Sequence, residues 1–480
     1  MNVPISGIIL LPLTLGIFCF SSYMAEWAIF TAILQGAALV NLGGGFAVGL
    51  SPYFFVTALV ALRVVPQLLT GRIRFFTNEP VRGHVHVLAM FIVWCVVSAF
   101  ILPVLFQGLP VDSPRSGVDS GYFAQLPLRW SFSNAGQAGY MILNFMLVLC
   151  LVQLSADQRR LERLINAFSW SGMFAAGVGL YQILCNRLGL PFPSSLFNSN
   201  QAWVQQPNQL IGSGFSRISA TFVEPSGAAV FLAAWSVFEL GLAMGHARQS
   251  GRHWLCAAVG TVVLIETTST TGYVTAAVIC VVMAWDCIST LLRYGVIKTK
   301  VTLTVLGLGS AGLAALALLP GAGLLLDAVV FNKGESASAL HRTATFGRAV
   351  EVFLSSWGLG VGLGSNRAMS AFLYVLSNVG LPGLILTGWL LSQLYSQVRA
   401  HLGSAYYDSK IRTFLYALSA AFAANIFALM FSGAEISQPH LWILWGLLLG
   451  TIRHDWLRER QLDGDAIAIS VSLASADLRA

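Results

Sequence analysis

Long apolar stretches, one after another from end to end, constrain this 480-residue chain more than any other feature. A helix needs about 20 apolar residues to cross a hydrocarbon core. By that measure candidate spans lie near 5–22, 24–42, 46–68, 85–106, 136–154, 164–184, 225–244, 254–268, 272–292, 301–325, 370–397, 413–433 and 439–453. The first two are read either as two short helices or as one broken one. The expected count is therefore 12 or 13, and the side of the N-terminus is left open. The expectation is an all-α polytopic membrane protein: one transmembrane domain over 1–453 and a short polar cytoplasmic tail over 454–480. No charged n-region precedes the first apolar stretch, so that stretch is expected to be retained as a span.

Composition agrees and removes alternatives. Only 10% of residues are charged and 56% are hydrophobic, with a mean hydropathy of +0.73, which excludes a soluble globular enzyme. Aromatic residues at 11% argue against disorder, and the absence of any basic cluster or stripe argues against a nucleic-acid partner. The seven cysteines fall in or at the end of apolar runs without a CxxC spacing and are expected to pack as small hydrophobes.

The net charge of +7 divides by side. Of 27 basic residues, 17 lie in six loops that the span pattern puts on one face: Arg72, Arg74 and Arg82; Arg159, Arg160 and Arg163; Arg248 and Arg252; Arg293, Lys298 and Lys300; Arg399, Lys410 and Arg412; Arg453, Arg458 and Arg460. Positive residues in short loops mark the cytoplasmic side. Arg63 is placed to snorkel from a helix end, and Arg479 belongs to the tail. Eight remain on the outside against the rule: Arg115, Arg129, Arg187, Arg217, Lys333, Arg342, Arg348 and Arg367.

Three outer segments are long enough to hold structure, near 107–135, 185–224 and 327–369. The first, with Asp112, Arg115, Asp119 and Arg129, reads as a solvated loop. The second is rich in Asn, Gln, Ser and aromatic residues and ends at Glu224 and Pro225, where Pro suits a first helical position. Arg217 lies just upstream. The pair outlines either an anion site at a helix start or an Arg–Glu link that ties the loop down. In the third, His341, Arg342, Arg348 and Glu351 fall on an expected amphipathic surface helix ending at Trp357. Gly358, Gly360, Gly362 and Gly364 then precede Arg367; their spacing is not a dinucleotide fingerprint, and the expectation is close-folded backbone with amides free for an anion.

Arginines from two outer loops point to a polyanionic head, and a diphosphate fits the guanidinium fork. No HExxH, GxSxG or paired carboxylates at metal-ligand spacing occur, so no cofactor is expected. The cluster from Glu266 to Tyr273 reads as Ser and Thr capping two helix ends. Glu435 and His440 complete the outer ionisable set. His84 and His86 fall on the cytoplasmic side as interface residues.

At RISATFVEPSGAA (217–229), STTGY (269–273) and GLGVGLGSNRAMSAFLYVLSNVGLPG (358–383), in a chain of many spans, the sequence resembles the O-antigen polymerase and O-antigen ligase superfamily. The resemblance covers most of the chain. It implies a GT-C-like bacterial inner-membrane glycosyltransferase, active at the periplasmic face without a metal. It also implies undecaprenyl-diphosphate-linked oligosaccharides and membrane lipid as partners, with a chain-length regulator and a flippase in the same pathway. Arg217, Arg342, Arg348 and Arg367 would bind the carrier diphosphate. Such chemistry needs a base within hydrogen-bond reach of the attacking hydroxyl, and Glu224 is the first candidate, followed by His341 and Glu351. Ligases of the family usually carry a histidine eleven residues before the glycine that Gly380 matches; Met369 stands there, which favours a polymerase. A lipid-linked oligosaccharide transporter is the rival class. Its marks, internal repeats and ionisable residues deep in spans, reduce here to Glu239 and Asp286 near helix ends.

Overall fold

The computed structural model describes residues 2–43, 48–70, 79–112, 125–201, 217–245, 250–294, 307, 337–403, 409–432 and 435–477. Most of it is helical, with two small hairpins as the β-structure among the described residues. The helices are α1 Ile5–Phe20, α2 Met24–Thr31, α3 Pro52–Leu69, α4 Val81–Leu105, α5 Phe132–Leu154, α6 Gln158–Leu188, α7 Ser194–Phe197, α8 Pro225–Gly245, α9 Ser250–Glu266 and α10 Thr270–Tyr294. After them come α11 Ala337–Ser355, α12 Ala371–Gly403, α13 Ser409–Met430 and α14 Pro439–Asp477. Five of these, α4, α5, α8, α12 and α13, are long and apolar enough to cross a membrane. The protein is therefore all-α and polytopic. The candidate span 301–325 lies outside the described residues.

The 24–42 stretch is one broken segment. Helix α2 stops at Thr31, and the chain continues through 32–39 without helix, with Ala32, Ile33, Leu34, Ala37, Ala38 and Leu39 buried. Non-helical backbone at membrane depth is tolerated where protein surrounds it. Partners are at hand: Ser199 Oγ accepts from the Ala38 amide at 3.0 Å, and Ser6 Oγ donates to the Ala38 carbonyl at 2.8 Å. The strand β1 Val40–Leu42 then pairs antiparallel with β2 Val48–Leu50. Asn2 bridges to Asn41, so residue 2 and the segment around 199 share one face.

On the face carrying the basic loops, carboxylates hold several of the cations. Arg453 meets Glu79 through Nε at 2.6 Å and Nη2 at 2.9 Å, Lys410 meets Glu162 at 2.6 Å, and Arg163 meets Glu26 at 3.5 Å. Arg63 donates to the Phe18 and Ser21 carbonyls. The 454–480 stretch does not begin as a separate tail. Helix α14 runs on to Asp477, His454 and Asp455 are buried, and His401 Nδ1 lies 2.8 Å from Asp455 Oδ2. His84, expected at the interface, is fully buried and accepts from Trp445 Nε1 at 2.8 Å.

Helix α8 is the centre of the bundle. It packs against α9 and α13 through small residues: a Cβ on Gly241 would sit 2.7 Å from Ala417 Cα, and one on Gly260 would sit 2.4 Å from Ser236 Oγ. Close backbone approach of this kind binds helices where lipid removes the hydrophobic drive. Glu239 is completely buried in α8, accepting from Ser169 Oγ and lying 2.6 Å from His253 Nδ1, while Arg252 donates to Ser169 at 3.1 Å.

Candidate functional site

The described site residues lie at the helix ends opposite the basic loops, in two places, the first beside a kink in α12. Gly380 has φ +66° and ψ −163° inside that helix, and Pro382 follows it. Proline has no N–H, so the Asn378 carbonyl loses its helical donor. The glycine turn replaces what the kink removes. Gly362 N donates to Asn378 O at 2.8 Å, Val361 N to Ser377 O at 2.9 Å, and the freed Leu381 N donates to Gly358 O at 2.8 Å. Trp94 Nε1 caps the Val379 carbonyl at 2.8 Å. Gly358, Gly360, Gly362 and Gly364 all have positive φ, and the contact is backbone on backbone: a Cβ on Gly360 would lie 2.6 Å from Asn378 O.

This corrects one expectation. Amides of the turn are taken up within the protein: Gly358, Leu359, Gly360, Val361, Gly362, Leu363, Ser365, Asn366 and Arg367 all donate to protein acceptors, and the Gly364 backbone meets the Tyr374 hydroxyl. Buried polar backbone is paired wherever a partner can be found, and the kinked helix supplies most of them.

Asn378 organises the end of the turn. Its Oδ1 accepts from Ser365 N at 3.0 Å and Asn366 N at 2.9 Å, and its Nδ2 donates back to Asn366 O at 2.8 Å. Asn366 in turn reaches the first outer loop, where its Oδ1 accepts from Asp112 N at 2.9 Å, and Arg367 N donates to Asp112 O at 3.1 Å. The Asp112 carboxylate takes Arg348 Nη1 at 2.8 Å. So part of the first loop, expected to be solvated, is built into the site: strands β3 Pro110–Asp112 and β4 Gln125–Pro127 pair, and Asp112 is buried.

The other place is the turn between α9 and α10. Arg217 Nε donates to Thr267 O at 3.2 Å and to Thr268 Oγ1 at 3.1 Å, and Thr268 is held at φ +47°. Beyond capping, the Thr cluster therefore orients an arginine. Glu266 beside it pairs with Arg187 at 2.6 Å. Arg187 and Arg348 thus have acidic partners that charge counting along the chain did not assign. Glu224 accepts from Ser226 Oγ at 3.1 Å at the start of α8. Arg217 is thus held at this turn, and Arg348 and Arg367 at the glycine turn. His341 and Arg342 fall on α11, but their side chains lie outside the described residues, and Glu351 is exposed on the same helix.

A third cluster sits between α5 and the 431–438 segment. Glu435 Oε2 accepts from Gln137 Nε2, and Ser437 Oγ donates to Gln137 Oε1 at 2.9 Å. Asn144 Nδ2 donates to Ser437 O at 3.0 Å and accepts from Tyr53 OH at 2.7 Å. Helix α5 braces the glycine turn as well. Its Ser133 Oγ donates to Gly364 O at 3.1 Å, and Asn134 Nδ2 donates to Leu363 O at 2.8 Å and contacts Ser365 Oγ at 2.7 Å. Residues 134, 137 and 144 share a buried face at helical spacing, so one helix fixes both clusters. Beside Glu435, Tyr140 stacks on Phe54 with centroids 3.7 Å apart and lines a cavity of about 210 Å³ with Val40, Leu42 and Leu50.

No known protein-family model matches the chain, and no curated protein does either.

Proposed function

We propose that the protein is a membrane glycosyltransferase that polymerises undecaprenyl-diphosphate-linked oligosaccharide repeat units into a surface polysaccharide at the periplasmic face of a bacterial inner membrane. One observation carries the reading: at the face opposite the basic loops the Arg217 guanidinium is held by the Thr267 carbonyl and the Thr268 hydroxyl, the Arg348 guanidinium by the Asp112 carboxylate, and Arg367 through its backbone amide on the Asp112 carbonyl. A lipid diphosphate leaves readily once its developing charge meets cations that need not reorganise. The resemblance of the 217–229, 269–273 and 358–383 motifs to the O-antigen polymerase and ligase superfamily supports the same class, and Met369 favours chain extension over transfer to a lipid A core.

The buried Glu239, His253 and Arg252 group in and beside α8 favours a second reading, a lipid-linked oligosaccharide transporter, because ionisable groups inside a bundle mark transport pathways. Incubating the purified full chain with lipid-linked repeat units separates the possibilities. Polymer ladders are expected; glycan on a lipid A core would indicate a ligase, and no covalent change would leave the transporter. Arg217→Ala should abolish the ladder without altering protein level or topology, and ladders of normal length from that variant would overturn the diphosphate assignment.

A further inference from the structure

The glycosyl transfer proposed above needs a proton acceptor for the attacking hydroxyl, and three carboxylates at this face compete for the role. Glu351 is exposed on α11, where water competes for every contact. Glu224 takes a hydrogen bond from Ser226, two residues along its own helix start. Glu435 is held across elements. Gln137 of α5 donates to its Oε2, and Gln137 is oriented for that by Ser437, whose single hydroxyl proton goes to Gln137 Oε1. Asn144 and Tyr53 continue the support into α5 and α3. A base needs this kind of rigid second layer, since small displacements are expensive in rate.

A further observation points to a ligand beside it. Tyr140, within electrostatic range of Glu435, stacks on Phe54 and forms with it part of the wall of the 210 Å³ cavity, whose aromatic and aliphatic lining suits the C–H face of a sugar.

Resting on the polymerase reading, we infer that Glu435 is the catalytic base that accepts the proton of the acceptor sugar hydroxyl, with Tyr140 and Phe54 seating that sugar. The hydroxyl oxygen forms a bond to the anomeric carbon of the donor as the bond from that carbon to the diphosphate oxygen breaks. The diphosphate-lipid leaves with the electron pair, and the proton passes to the Glu435 carboxylate. General-base assistance is worth about 10²–10⁴-fold. In the purified full chain with lipid-linked repeat units, Glu435→Gln should lower kcat by about 10²-fold or more, with KM little changed and the fall in rate at low pH removed. Glu435→Asp should recover part of the rate and keep the low-pH limb.

If Glu435→Gln retains kcat within about threefold of the unmodified chain, or if Glu224→Gln carries the loss instead, the assignment is wrong. Where Glu435→Gln accumulates poorly, Glu435→Asp decides: an undiminished kcat in that variant also overturns it. A wild-type chain that joins no repeat units would remove the polymerase reading, and the base with it. A working wild type with an active Glu435→Gln removes the base alone.

Discussion

At Gly380 the requirement for glycine is unusually strict. Its φ of +66° lies where side chains strain the backbone, and a Cβ there would lie 2.2 Å from the Leu359 carbonyl carbon, inside contact distance of backbone that cannot swing away. Gly380→Ala should therefore cost more than the 1–3 kcal/mol of a left-handed residue alone, about 3 kcal/mol or more. The thermal midpoint of the detergent-solubilised protein, followed by tryptophan fluorescence, should fall by several degrees, whereas Gly388→Ala, with open space at the Cβ, should leave it nearly unchanged. The alternating glycines were visible as a close-folding turn from residue identity alone. What they fold against was not, because the acceptors are created by a kink in another helix. Pro382 was in plain view, yet only the tertiary pairing of Asn378 O with Gly362 N joins the two facts. Asp112 is hidden for the same reason. A carboxylate in a Pro/Gly/Ser-rich loop resembles any solvated one until Arg348 pairs with it and Asn366 takes its backbone N–H, both from more than 200 residues away.

Among elements, those with strong local signals were legible and those shaped by their neighbours were not. The amphipathic period predicted a helix ending at Trp357; α11 ends at Ser355, and Trp357 has φ +53° as the chain turns out of it. Helix α2 shows the opposite case: apolar composition predicts a span over 24–42, but 32–39 leaves the helix because Ser6 and Ser199 satisfy the Ala38 backbone from outside it. Helix α5 read as an ordinary span, and its role as the brace of two clusters depends on which face is buried. That role is testable. Asn134→Ala removes the donors to Leu363 O and Ser365 Oγ. Leaving a buried carbonyl unsatisfied costs about 1–3 kcal/mol locally. Hydrogen exchange at the amides of 360–366 should accelerate by about one to two orders of magnitude, with exchange in the 439–453 part of α14 unchanged. Uniform acceleration across both would mean that Asn134 supports the fold as a whole and not the turn.

For the molecule as a whole, the division of charge predicts an orientation, and the pairing of residue 2 extends that prediction to the N-terminal segment. Residue 2 pairs with Asn41, in the hairpin that receives Ser199 from the 185–224 segment. Gln107 lies at the end of α4 away from Glu79 and Arg453, and Gln461 follows the Glu79–Arg453 link along α14. Positive loops face the cytoplasm, so residues 2 and 107 should share the external face and residue 461 the internal one. Cys19 is exposed, Cys280 half-buried and the Cys287 side chain outside the described residues, so cysteines can be introduced one at a time in a chain carrying Cys19→Ser, Cys280→Ser and Cys287→Ser, where the four that remain are buried. In intact spheroplasts a membrane-impermeant maleimide should label Asn2→Cys and Gln107→Cys, and should reach Gln461→Cys only after permeabilisation. Labelling of residues 2 and 461 from the same side would break the alternation of helices on which the face assignment depends. With it would go the reason for regarding Arg217, Arg348 and Arg367 as exceptions: on the cytoplasmic side they would simply join the cations that topology already requires. The functional reading therefore stands on the orientation as much as on the site. An external label at residue 107 would put Asp112, five residues further on, and the arginine it holds on the side where a lipid-linked glycan would be extended.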